Sequence, residues 1–121
     1  MRYFSYSMIP NVKICFSCSV RKVKKELKRL KVSHSLISNS DGQTITIYNS
    51  GRTIIIVLIR KRKPRKFSDE NSQKALVVHE AVHVFDGLME SIGESHPGSE
   101  IKAYFIQRLS QDFFQEYDNA K

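Results

Sequence analysis

The chain has 121 residues, 26% of them charged, with a formal net charge of +8, two cysteines and no tryptophan. That length suits one compact domain, 1–121, with a core of its own, and is short for two. The longest apolar run, TIIIVLI from Thr53 to Ile59, falls far short of the roughly 20 residues that cross a bilayer. The opening MRYFSYSMIPNVK has no extended apolar core or cleavage pattern of a secretory signal, so the cytoplasm is the expected compartment. Charge is unevenly distributed: residues 1–66 carry 16 Lys/Arg against two acids, and residues 67–121 carry four against ten. Such polarity points the basic half at an anionic partner, nucleic acid or an acidic protein, through the runs Arg21 to Lys31 and Arg60 to Lys66. The other reading of those runs is a solvated surface.

In chain order, NVKICFSCSV is rich in β-branched and aromatic residues and reads as a strand. Its Cys15 and Cys18 form a CxxC, but residues three apart on a strand point to opposite faces, and no second CxxC follows. Reduced thiols are therefore expected. RKVKKELKRLKV places Val23, Leu27 and Leu30 at helical spacing, a short basic helix with one apolar stripe. HSLIS, QTITIY and RTIIIVLIR read as three further strands, the last two joined by a tight turn in which Gly51 takes positive φ. KRKPRK is a basic connector, because Pro64 stops the strand. A long helix capped by Ser68 or Asp69 should then run to Ile92 and end at Gly93, and a second should run from Ser99 to about Tyr117. The fold class is α+β: a small, mostly antiparallel sheet with a short N-terminal helix, packed against the two long helices. Val77, Val78, Ala81, Val84, Phe85, Leu88 and Ile92 cover most of the first long helix, which should be buried together with its polar residues.

Within that helix lies His79-Glu80-Ala81-Val82-His83. Two histidines four apart project from one helix face about one turn apart, so both imidazoles can reach one zinc ion. Glu80 projects about 100° round from His79, an offset that directs its carboxylate to the water a metal activates instead of to the metal. With four histidines in 121 residues, chance is a poor explanation of the pattern. A catalytic site needs a third protein ligand. Asp86 stands where the longer metzincin pattern has Gly, and Met89 where it has His, leaving Asp86, Glu90, Glu94, His96 and Glu100. Glu100 is preferred, because it opens the second helix with Tyr104 and Gln107 four and seven residues along the same face. Tyr104 is read either as a hydrogen-bond donor to a developing oxyanion or as a core residue. Asp86 is the alternative ligand, or an acceptor that orients a histidine ring. His96, next to Pro97, is read as a loop residue.

His79, Glu80, His83 and Glu100 in SEIKAY resemble the gluzincin type of zincin metallopeptidase, whose ligands are the two histidines of HExxH and a glutamate on a later helix. The chain is also similar to small phage-encoded metallopeptidase-like proteins that show HEAVHV followed by a segment like SEIKAYFIQ; the resemblance spans about residues 75–108. It implies a minimal zincin-like domain, a Zn2+ cofactor and a peptide or protein substrate, with RTIIIVLIR as the edge strand for an extended peptide. It also implies hydrolysis by a zinc-activated water, with Glu80 as general base. The rival expectation is a metal-stabilised binding module, or an inactive relative, that docks nucleic acid or an acidic partner through the basic half.

Overall fold

A computed structural model describes residues 1–62 and 67–120, with the backbone alone at 67 and 68. Four strands form one sheet: β1 (Tyr3–Tyr6), β2 (Ile9–Ser17), β3 (Gly42–Asn49) and β4 (Arg52–Ile59), in the order β1-β2-β4-β3. β1 and β2 pair antiparallel, β3 and β4 pair antiparallel, and β2 and β4 run parallel. The fold is thus α+β with a mostly antiparallel sheet, as the sequence indicates. After β2 the chain crosses one face as α1 (Val20–Arg29), enters β3 at the end where β2 finishes and runs back along it, so that β4 starts beside the start of β2 and pairs parallel with it. The other face is covered by α2 (Phe67–Ser91) and α3 (Ser99–Asn119).

The strand alternation sorts the side chains. Val12, Ile14, Phe16, Ile55, Val57 and Ile59 meet α2 and α3, while Cys15, Ile45, Ile47, Ile54, Ile56 and Leu58 meet Val23 and Leu27 of α1. β4 is apolar on both faces because it is covered on both. Cys15 is buried on the α1 side and Cys18 packs against the opposite cluster, both as free thiols. Burial pushes the Cys15 thiol up to about 12 and raises that of Cys18.

The β3–β4 turn is the expected one. Asn49 pairs with Arg52 across Ser50 and Gly51, which both take positive φ, the geometry that suits the right-handed twist of a two-residue hairpin. Gly93, at φ 72°, ends α2, with its N–H on the Glu90 carbonyl and that of Glu94 on Met89. α1 stops by the same device, although its left-handed residue is Lys31.

Several expectations are corrected. HSLIS is not a strand: its backbone turns back on itself in a 3-10 turn, His34–Leu36, with the Ser33 hydroxyl accepting from Ser35 N–H. The fourth strand is the aromatic β1 instead. RTIIIVLIR is not an edge, since β4 lies between β2 and β3, and the edge on that side is β3. α2 begins at Phe67, so Ser68 and Asp69 lie in its first turn instead of capping it. Of the KRKPRK connector, residues 63–66 lie outside the described residues. Among the described residues no helix is long and apolar enough to cross a membrane.

β1 is tied to α1 through Glu26, which accepts hydrogen bonds from Tyr3 and Arg29 although the residue is only 9% exposed. The Arg29 guanidinium holds the Glu26 carboxyl below its usual range, against the opposing effect of burial. A carboxylate whose pKa is depressed on folding contributes stability that is present above its unfolded pKa and is lost as pH falls through the folded one. Glu26→Gln should therefore flatten the acid limb of a stability-versus-pH curve, below the ordinary carboxylate range. Urea unfolding across that range checks it, and an unchanged acid limb would contradict the role.

Candidate metal centre

The position of α2 over the sheet follows from two close approaches. A Cβ on Gly42 of β3 would lie 2.9 Å from Leu76, and one on Gly87 of α2 would lie 3.2 Å from Ile55. α2 can thus rest low over β3 and β4. The start of the helix is fixed by Gln73, whose amide bonds both backbone groups of Arg62 and accepts from the Tyr117 hydroxyl at 2.8 Å. Val77, Ala81, Val84 and Leu88 fill the interface and are fully buried.

The histidines do not share that burial. The side chain of His79 is 64% exposed, and His83 is exposed as well, whereas Glu80 is 3% exposed. Val78 and Ile92 also reach solvent. The helix is therefore buried along one broad stripe, not around its circumference, because α3 and the sheet cover only part of it. The expectation that the histidines would be buried is corrected, and it is the glutamate between them that is enclosed.

His79 Nε2 and His83 Nε2 lie 3.3 Å apart, with ring centroids at 4.9 Å and planes at 72°. Two nitrogens bound to one tetrahedral zinc at about 2.0–2.1 Å would stand about 3.3–3.4 Å apart. The imidazoles thus converge at the separation a shared ion requires. Glu80 accepts a hydrogen bond from Thr44 Oγ1 of β3 at 2.9 Å through Oε1, and its Oε2 lies 3.9 Å from His79 Nε2. Ligand atoms of His79, Glu80 and His83 all lie within 4.8 Å of one another, and among the described residues no fourth His, Cys, Asp or Glu joins them. The group, two converging imidazoles with a carboxylate beside them, can hold a metal ion.

These residues open into a cleft of about 430 Å³ between α2 and the β3 edge, lined also by Gln43, Thr44, Thr46, Asp86, Gly87 and Glu90. Asp86 therefore shares the cleft, but among the described residues no hydrogen bond joins it to either histidine. Glu100 sits exposed in the first turn of α3 and is brought neither into the histidine group nor into the cleft. The reason is the rotation of α3: its buried stripe is Phe105, Leu109, Phe113 and Tyr117, so Glu100, Tyr104 and Gln107 lie on its solvent side. Tyr104 is 57% exposed, so it is not a core residue. His96 is exposed in the α2–α3 turn, bonded to Ser95, as a loop residue should be.

Sequence reasoning missed Thr44 and the β3 edge. The signal was present in QTITIY, where Thr44 and Thr46 alternate with Ile45 and Ile47: a strand with one apolar face and one hydroxyl face must turn the latter to something polar. Comparisons of the chain with protein-family models, curated protein sequences and solved structures return no match.

Removing a hydrogen bond that holds a buried carboxylate costs about 1–3 kcal/mol. Thr44→Val should therefore destabilise the metal-free protein by that amount in urea unfolding, while Thr46→Val, whose hydroxyl is unbonded among the described residues, should change little. Equal effects of the two would remove the Thr44–Glu80 bond from the account.

Proposed function

We propose that the chain is a zinc-dependent hydrolase, in particular a metallopeptidase, with its active centre at His79, Glu80 and His83. The observation that carries this reading is the 3.3 Å convergence of the two imidazole nitrogens beside a carboxylate that is buried and fixed by Thr44. A structural zinc site is closed by four protein ligands and has no use for a carboxylate held out of the ligand set. Zinc in such a site supplies a nucleophile at neutral pH by lowering the pKa of water to about 7.

His79 and His83 present their Nε2 atoms to the ion from solvent-facing positions one helical turn apart. Glu80 acts as general base: its Oε1 is held by Thr44, which leaves Oε2 on the histidine side to take a proton and return it to the leaving amine. The third ligand is a carboxylate, Asp86 from within the cleft. The substrate is a peptide lying along the cleft beside the β3 edge. A cytoplasmic location is part of the same proposal, consistent with two free cysteines.

Elemental analysis of untagged protein reconstituted with zinc tests it. The expected result is about one zinc per chain, lost in His79→Ala, weakened in Asp86→Ala and unchanged in Glu100→Ala. Glu80→Gln should keep its zinc and lose about 10²–10⁴-fold in peptide turnover. No zinc in the wild type, or full turnover in zinc-replete Glu80→Gln, would overturn the proposal.

A further inference from the structure

The sheet separates two electrostatically unlike sides. The cleft face carries Asp86 and Glu90 and has no lysine or arginine among its described lining residues. The opposite face is α1, whose ten residues include six Lys/Arg and a single acid. That acid, Glu26, is taken up by Arg29 and Tyr3. Arg21, Lys24, Lys25 and Lys28 are exposed, and among the described residues none of them has an ion pair. Cations grouped without counter-charges raise the free energy of the isolated protein and are relieved by an anionic partner.

Their arrangement is specific. Arg21, Lys24 and Lys28, at i, i+3 and i+7, stand in one row along α1 and line a shallow groove with His34. The row spans about 10 Å at 1.5 Å per residue. One strand of a nucleic-acid duplex presents a phosphate about every 3.4 Å along its axis, so the row faces about three successive phosphates. The groove continues past Lys24 and His34 to Ser35, Asn39 and Arg60, groups that donate to phosphate and sugar oxygens. Arg60 is held in place by the carbonyls of Ser40 at 3.1 Å and Ser38 at 2.7 Å. Among the described residues the groove contains no Phe or Tyr, so it lacks the stacking platform on which single strands bind.

We propose that the α1 face binds the sugar-phosphate backbone of a nucleic-acid duplex without reading its sequence. Binding there leaves the His79–His83 cleft, on the other side of the sheet, open. The property is independent of the zinc reading and stands if that reading fails.

Fluorescence anisotropy with short mixed-sequence DNA and RNA duplexes, on the full chain between about 50 and 200 mM salt, tests it. About three phosphate contacts predict a slope of log K against log salt near −2.7 for B-form DNA. The variant Arg21→Ala/Lys24→Ala/Lys28→Ala should bind at least tenfold more weakly with a slope nearer zero and an unchanged thermal unfolding curve. Lys74→Ala/Lys102→Ala, on the other helices, should bind as the wild type. Binding of either duplex with these features supports the proposal, and the preferred one identifies the helical form. It is overturned by absent binding at 50 mM salt or by tighter binding of the single strands. Equal binding by phosphatidylserine-containing vesicles or polyglutamate, the lipid and acidic-protein alternatives, overturns it too.

Discussion

The close seating of α2 on the β3–β4 half of the sheet is the constraint on which the site depends. Gly42 and Gly87 let the helix come down until Ile55 and Leu76 fill the space a Cβ would need. At that separation Glu80 is almost wholly enclosed and takes its hydrogen bond from within the protein. Thr44 is that partner, because β3 turns Thr44 and Thr46 towards the helix while Ile45 and Ile47 go to the α1 side. Were α2 a few ångströms higher, water would hydrate Glu80 and its carboxylate would lose its fixed orientation. A buried charge is tolerated only when it is hydrogen-bonded, so the arrangement ties the chemistry of the cleft to the packing of the core.

The two histidines profit from the same seating in the opposite sense. The helix residues next to the sheet are Val77, Ala81, Val84 and Leu88, and the positions turned away from it carry His79 and His83 at its open flank. Glu80, one residue on from His79, is turned under towards β3. A rotation of 100° per residue is therefore enough to make one member of HExxH an enclosed carboxylate and the other two accessible imidazoles. α3 takes no part in this cleft. Its contribution is to hold β1, β2 and the far side of α2, through Phe105, Leu109, Phe113 and Tyr117, and through the Lys61 ammonium that donates to the carbonyls of Tyr117 and Ala120.

Much of this was legible in the residues. Ser50-Gly51 between two apolar runs marks the hairpin, Gly93 marks the end of α2, and the spacing of Val23 and Leu27 gives α1 its buried stripe. The HExxH spacing identifies the donors because helical periodicity alone decides which side chains meet. What was not legible depends on contacts distant in sequence. The apolar residues of α2 are spread so widely that they do not say which flank stays open, and only the positions of β3 and α3 leave Val78 and Ile92 in solvent. The same holds for α3, where Glu100, Tyr104 and Gln107 share a face that sequence cannot assign to the cleft or to water. HSLIS has strand-like residues, but Ser33 offers its hydroxyl to the backbone of Ser35, and that local bond wins over pairing.

The central claim is that His79 and His83 bind one metal ion from the open flank of α2 while Glu80 stays outside the ligand set. Zinc X-ray absorption on the reconstituted chain tests it most directly. The account predicts two imidazole nitrogens at about 2.0–2.1 Å in the wild type, one in His83→Ala, and an unchanged first coordination shell in Glu80→Gln. A spectrum without imidazole scattering, or a shell that loses an oxygen in Glu80→Gln, would contradict it.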